Sequence, residues 1–408
     1  MTEPRARHPR LAGVVAAFVT AAALSAVPAP AHATPATPGA HTTPGTPAAS
    51  PADAGPRHGY IVTLAPGTKA ASAAGRDLAR KYGASVDRTY STALNGYAVR
   101  ADAGQARRLA ADPAVAGVVP DARVRTGARQ PNPPSWGLDR VDQERLPLDR
   151  SYTAPRRAGA GVTVYVIDTG VRTSHRDFGG RARSGRDFVQ NDAVAQDRHG
   201  HGTHVAATVA GTRYGVAKKA KIVAVRVLDD AGSGTTAQVL AGIDWVTRHA
   251  KKPAVANLSL GGPPNAQLDA AVRASIASGV TYTVAAGNEG ERASLNSPAR
   301  VRQALTVGAT DRRDARAAFS NWGSGLDLFA PGVAIRSASI RDDGASALSS
   351  GTSMAAPHVA GAAALYLSGH PSAKPAAVGK ALTGRAATGR VSGAGPGSPN
   401  KLVQVGGL

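Results

Sequence analysis

Val164-Tyr165-Val166-Ile167-Asp168-Thr169-Gly170 is a run of β-branched, aromatic and apolar residues closed by an aspartate and a turn glycine. A short apolar run without polar alternation suits a strand covered on both faces, as strands of parallel sheets are. The strand itself spans Val162 to Ile167, and related runs recur at Ile222 to Leu228, Val255 to Leu260 and Val280 to Ala285. Stretches of helical composition, such as Thr236 to Ala250 and Ala266 to Ser278, lie between them. Alternation of this kind predicts an α/β domain over residues 128–408, a parallel sheet flanked by helices on both faces. In such sheets functional groups gather at the carboxyl ends of strands and the starts of helices. Asp168 stands at one such end.

The residues before this domain divide into three segments. Residues 58–120 order their strand-like and helix-like runs as β-α-β-β-α-β: Gly59 to Leu64, Lys69 to Lys81, Ala84 to Tyr90, Leu94 to Arg100, Asp102 to Ala111 and Val115 to Val119. That order predicts a small split-βαβ domain ending near residue 127. Residues 34–57 are Pro, Ala, Thr and Gly with little apolar surface to bury, the composition of a linker. Residues 1–33 have Arg5, Arg7 and Arg10, then the apolar stretch Leu11 to Val27, then Ala31-His32-Ala33. This is the layout of a secretory signal, with an apolar part too short to span a bilayer. The expectation is a secreted, extracellular protein with no membrane attachment once the signal is removed.

Composition narrows the function further. The 408 residues are 42% hydrophobic but only 4% aromatic, so the core must pack from small and branched side chains. The formal net charge of +21 first suggests nucleic acid. Yet residues 1–33, 34–127 and 128–408 contribute +2, +5 and +14, mostly as single arginines, with no run of five or six like charges. A basic extracellular protein, monomeric and without a nucleic-acid partner, is the better expectation. There is no cysteine, so stability must come from packing and from any bound metal.

Three islands carry chemistry-bearing residues. Asp168 ends the strand quoted above; alone, it is the kind of aspartate that commonly opens a turn. His199-Gly200-His201-Gly202-Thr203-His204-Val205-Ala206-Ala207 places histidines at the start of a small-residue helix. Zinc is the rival reading, but there is no cysteine and no His-Glu-x-x-His helix to complete a site. Gly351-Thr352-Ser353-Met354-Ala355-Ala356-Pro357-His358 puts a serine at the entry of an apolar helix. There it is either an N-cap or a nucleophile bathed in the helix dipole. Taken together, carboxylate, imidazole and hydroxyl are the parts of nucleophilic acyl transfer, and Asp-His-Ser is one of its known chain orders.

With these motifs in hand, the sequence resembles the subtilisin superfamily and, within it, the proteinase K branch. The similarity rests on Val-Ile-Asp-Thr-Gly at 166–170, His-Gly-Thr-His at 201–204 and Gly-Thr-Ser-Met-Ala-Ala-Pro-His-Val-Ala-Gly at 351–361. Tyr214 to Lys219 and Ser320-Asn321-Trp322-Gly323 are closer to that branch than to subtilisins generally. It runs from about Pro134 to the C-terminus, and residues 58–120 resemble the family's inhibitory propeptide.

The resemblance implies a serine endopeptidase made as a precursor, acting on protein and peptide substrates and silenced by its own propeptide. No cofactor is implied for catalysis. It makes Asp168, His201 and Ser353 the triad and Asn288 the oxyanion donor, with His204 and His358 structural. His199 departs from the family's usual Asn or Ser and is expected to be exposed. Gly232-Ser233-Gly234 and Leu258 to Gly261 resemble the segments that sandwich an extended peptide, giving Ser233 and Gly234 substrate contacts. Ser259, Leu260 and Gly261 with Ala285, Ala286 and Gly287 would wall the P1 pocket, small and uncharged, which favours a large apolar P1 residue. A structural calcium is implied at the Asp327 carboxylate and the carbonyls of Arg302 and Ala304, the alternative being that Asp327 pairs with an arginine. Two other functions fit the scaffold: a peptide ligase or transpeptidase, and a non-catalytic binding protein, which would need a broken triad. The junction tail Arg123 to Gly127 is the expected site of self-cleavage.

Overall fold

The computed structural model describes residues 58–121 and 127–408, and the chain divides into two units, 1–122 and 123–408. The signal-like segment 1–33, the linker 34–57 and the tail around Thr126 lie outside the described residues.

The first unit has the expected order: β1 His58–Leu64, α1 Ala73–Lys81, β2 Ser85–Tyr90, β3 Gly96–Ala101, α2 Ala103–Ala110 and β4 Val115–Pro120. Its sheet runs β2-β3-β1-β4, with every pairing antiparallel. Val62, Leu64, Tyr97 and Val99 on alternate strand positions pack against Leu78 and Leu109 of the two helices. The first helix starts later than the sequence suggested. Ser72 stops the extended chain and its Oγ accepts the Gly75 N–H at 3.1 Å, so Lys69 to Ala71 stay outside the helix. Asp102 and Gln105 close a capping box at the start of α2.

The second unit opens with β5 Gly127–Pro131, α3 Trp136–Val141 and β6 Ser151–Pro155, with β5 paired antiparallel to β6. Then follow β7 Thr163–Asp168, β8 Ala182–Asp187, α4 His201–Ala210, β9 Lys221–Arg226, α5 Thr236–His249, β10 Ala254–Leu258, α6 Ala266–Ala277 and β11 Thr281–Ala285. The chain ends with β12 Leu305–Thr310, β13 Leu328–Pro331, β14 Ile335–Ala338, β15 Ser346–Ser349, α7 Thr352–Gly369, α8 Pro375–Arg385, β16 Ala387–Thr388 and β17 Lys401–Leu402. The nine-stranded sheet has the order β16-β17-β13-β12-β11-β10-β7-β9-β8 and is parallel from β17 to β8.

Strand alternation sorts the core into two layers. Val164, Val166, Ile222, Ala224 and Val255 face α4 and α7, whereas Tyr165, Ile167, Val223, Val225 and Ala256 face α5 and α6. A core so poor in aromatics closes because α4 and α7 are rich in Ala and Gly and approach the sheet closely. Gly202 shows how tight this is: a Cβ there would strike the carbonyl oxygen of Gly170. The strand expected at Val255 to Leu260 leaves the sheet after Leu258, which frees Ser259 to Gly261 to line a cleft.

Candidate active site

Central strands deliver their carboxyl ends to one edge of the sheet, and the three islands meet there. Asp168, the last residue of β7, is fully buried. Its Oδ1 lies 2.7 Å from His201 Nδ1 and accepts the Thr169 N–H at 2.7 Å. His201 is the first residue of α4, entered through Gly200 in the left-handed conformation at φ 101°. Because Nδ1 faces a carboxylate, it carries the proton, which leaves the Nε2 lone pair available. Burial pushes the His201 pKa down, but the charge and hydrogen bond of Asp168, helped by the charge of Asp197, outweigh it and raise it.

Ser353 is the second residue of α7, with Gly351 at the N-cap. Its backbone N–H therefore belongs to the helix's first turn, which has no intrahelical acceptors. In this resting arrangement its Oγ donates to the Ser259 carbonyl at 3.0 Å. Asn288 is exposed in the loop after β11. Its Oδ1 accepts the Thr352 N–H at 2.8 Å and the Thr352 hydroxyl at 3.0 Å. Two donors on Oδ1 settle which end of the amide is which and leave Nδ2 as a donor near Gly351, at the entry of α7. Gly287, just before it, has φ 103°, and a Cβ there would run into Asn321 Nδ2, so only glycine fits.

A cleft of ≈ 760 Å³ gathers most of the sequence-named residues: His201, Ser353 and Asn288, Ser233 and Gly234, Ser259, Leu260 and Gly261, Ala285 and Gly287. Among the residues expected to bind substrate, Ala286 is the exception. It is fully buried and packs with Ala293 and Phe329, because alternation past the end of β11 turns residues 285 and 287 to the cleft and 286 away. His204 and His358 are buried as expected, bonded to the Ile335 and Met354 carbonyls, and burial lowers the pKa of each to about 4. His199 is exposed and lines the cleft.

Several residues that build the site were not apparent in the sequence. Asp197 is buried, and its Oδ1 accepts from the Thr169 hydroxyl and the His199 and Gly200 N–H groups. Its Oδ2 accepts from Thr203 N and Oγ1 at 2.8 and 2.6 Å, so one carboxylate clamps the loop that carries His201. A buried chain of side chains, Thr283 to Asn257 to Ser259, ends on the Ser353 carbonyl at 2.8 Å and fixes the start of α7. Glu289 also lines the cleft, held by Asn321 Nδ2 at 2.8 Å.

For metals, Asp327 is the one carboxylate named from sequence, and it is largely buried. Asp327 Oδ2 accepts the Thr306 N–H at 2.8 Å and Asp327 N–H donates back to the Thr306 carbonyl. Burial raises the Asp327 pKa to about 6, against the pull of Arg302 and Lys401. The neighbouring Arg300 is engaged by Asp269 at 2.5 Å. Elsewhere burial, with Asp149 and Asp139 nearby, lifts Asp142 to about 7. Among the described residues no group of three or more His, Cys, Asp or Glu is arranged to hold a metal by itself.

Comparison with known proteins agrees with this geometry. The sequence pattern of the subtilase family matches residues 159–403, and that of the peptidase inhibitor I9 family matches residues 59–127. An extracellular serine proteinase of Thermus sp. (strain Rt41A) is 52% identical over 321 residues, 79% of this chain and 78% of that protein. A cuticle-degrading serine protease of Arthrobotrys oligospora is 45% identical over 322 residues, 78% of each chain. The crystal structure of a cold adapted subtilisin-like serine proteinase superposes with TM-score 0.65 at 53% identity, covering 67% of this chain and 98% of the other.

Proposed function

Because the chain belongs to the subtilase family, and is a serine endopeptidase with an I9-type domain ahead of its catalytic domain, we propose that Ser353, His201, Asp168 and Asn288 do its chemistry. The observation that carries this assignment is the 2.7 Å Asp168–His201 bond opening onto a cleft that also holds Ser353 and Asn288. Ser353 Oγ turns from the Ser259 carbonyl to His201 Nε2, gives up its proton there and attacks the scissile carbonyl carbon. The carbonyl oxygen becomes an oxyanion between Asn288 Nδ2–H and the Ser353 N–H. Collapse breaks the C–N bond, and the imidazolium passes its proton to the leaving amine. Water, deprotonated by the same imidazole, then cleaves the acyl-enzyme. Asp168 holds the tautomer throughout. As in subtilases generally, no cofactor takes part.

Substrates enter as an added strand against Gly232 to Gly234 and Leu258 to Gly261, so that main-chain bonds bind and the P1 pocket selects. The small uncharged walls at Ser259, Leu260, Gly261, Ala285 and Gly287 favour a large apolar P1 residue. Digesting an unfolded protein and weighing the products tests both points. The expected fragments end in large apolar residues and contain no newly joined sequences. Fragments ending mainly in charged residues would overturn the preference, and joined products would favour a ligase.

The I9-type domain supports an intramolecular inhibitor, residues 58–127, cut from the peptidase at 128–408. β5 is already paired to β6 from Gly127 onward, so a cut just before it leaves the new end of the peptidase held. Secretion from a signal at 1–33 is supported by the extracellular relative, and among the described residues no helix is long and apolar enough to cross a membrane.

Asp327, with the carbonyls of Arg302 and Ala304, is suited to a calcium ion: an oxygen donor set around a carboxylate whose charge is costly to bury alone. An ion at a hundredfold excess over Kd would stabilise the folded state by about 2.7 kcal/mol. Chelator is expected to shorten the thermal-inactivation half-life of the wild type at pH 8 but not of Asp327→Ala. The acid's pKa is raised, so it is ionised above about 6 and protonated below. The chelator effect should therefore fade as pH falls through 6. A wild-type half-life indifferent to chelator at pH 8 would remove the calcium and leave the protease intact.

A further inference from the structure

The amino ends of four neighbouring strands form the edge of the sheet opposite the cleft. β10, β7, β9 and β8 are adjacent and parallel, so their first residues stand side by side over roughly 15 Å. Each strand is entered through basic residues. Lys251 and Lys252 precede β10, and Lys219 and Lys221 stand before and at the start of β9. The loop before β7 holds Arg156 and Arg157, and its Ala158 carbonyl accepts the Lys219 N–H at 2.7 Å. Arg181 precedes β8 and its guanidinium donates to the Ala220 carbonyl at 3.1 Å, which ties that end to β9.

Acidic residues are missing from these lead-ins. Residues 155–163, 178–186, 211–224 and 246–254 together hold twelve Lys and Arg and no Asp or Glu. Of the carboxylates that meet these segments, Asp177 is buried and bonded to the Arg213 N–H, and Asp244 is paired with Arg248. Crowding is felt at Lys218, whose pKa is pushed down to about 8 by burial, and further by Arg181, against the pull of Asp177. Along the chain these cations are singles and pairs in four separate segments, and only the pairing of the strands brings them into one row.

We propose that this edge is a binding surface for a linear polyanion, a polymer whose sulfate or phosphate groups repeat every few ångströms and which carries no bases. Arg157, Arg183, Lys219, Lys221 and Lys251 are exposed, and their long stems let the charged heads follow successive anions along such a chain. Reading bases would take open aromatic platforms. The tyrosines in contact with these segments, Tyr152, Tyr165 and Tyr214, are buried, and Trp245 is already stacked with His249 at 4.5 Å. The strands are about six residues long, so the row stands about 20 Å from the cleft at their carboxyl ends. A polymer held there tethers the enzyme to an anionic matrix and leaves the cleft open to substrate.

Binding of the secreted protein to heparin and to inorganic polyphosphate, over about 50 to 200 mM salt, tests this beside two variants of equal net charge. One carries Arg157→Gln, Lys219→Gln, Lys221→Gln and Lys251→Gln. The other carries Arg312→Gln, Arg313→Gln, Arg341→Gln and Arg385→Gln, all exposed and outside the row. The first set is expected to weaken binding at least about tenfold and to lower the slope of log K against log salt by about three, nearly one for each lost contact. The second set is expected to change affinity by less than about twofold. Both variants should cleave a short peptide as the wild type does, which shows that they are folded. Binding of either polymer through the row supports the proposal, and the tighter of the two names the anion. Equal weakening by both sets would mean that net charge alone is at work and would overturn it. Single-stranded DNA held more tightly than polyphosphate of the same charge would reveal base contacts and overturn the choice of partner. Saturating heparin is expected to leave short-peptide cleavage unchanged, and inhibition would put the polymer over the cleft instead.

Discussion

Ser353→Ala is expected to be recovered as an uncut precursor, its I9-type domain still joined to the peptidase. The junction lies in a tail whose far side is already a strand of the peptidase, β5 paired with β6. A cleft that binds extended chain as an added strand can take such a tail, and the cut is expected within about three residues of Thr126. Ser353 is the nucleophile proposed above, so removing its hydroxyl is expected to remove self-cleavage. Retaining the front domain also suits a parallel-sheet fold, whose non-local contacts form slowly and benefit from a template. Intact mass of the protein made in a protease-free host gives the answer. Normal trimming of the variant there would mean that another enzyme does the cutting.

Asn288→Ala is expected to lower turnover by about a hundred- to a thousandfold with little change in KM, as loss of the equivalent donor does in subtilisin. The reason is geometric. Thr352 engages Oδ1 twice, so Nδ2 is held ready before substrate arrives and costs no reorganisation when the oxyanion forms. The ground-state carbonyl gains less from it than the oxyanion does, which puts the loss in kcat. A variant whose KM rises while kcat holds would make Asn288 a substrate-binding residue rather than an oxyanion donor.

The parts legible in sequence were those with local causes. Strands such as Val164 to Asp168 announce themselves because a two-sided burial demands an unbroken apolar run. The βαββαβ order of the first unit followed from alternation and composition, although the start of α1 depended on Ser72 bonding to Gly75. The residues proposed to react were legible because their chemistry restricts residue type and because long motifs surround them. Asp197 was not legible, since an aspartate in a polar loop looks like any other until folding brings Thr169 and Thr203 to it. The Thr283–Asn257–Ser259 relay is hidden likewise: its members lie on two strands and a loop and meet only through sheet pairing. Ala286 was misplaced because sequence gives a segment, whereas backbone alternation decides which side chains reach the cleft. The resting bond from Ser353 to Ser259 is likewise a property of packing, and it means the nucleophile must turn before it reacts.

The most direct test of the assignment is the rate of peptide hydrolysis by purified, N-terminally trimmed Ser353→Ala, beside the wild type prepared in the same way. Trimming by an added protease, later removed, keeps the inhibitor domain from masking the result. The nucleophile and its base act as a unit, so a loss of about six orders of magnitude is predicted, as in subtilisin. Retention of even about a tenth of the wild-type rate, against that predicted loss, would contradict the assignment of Ser353 as the nucleophile.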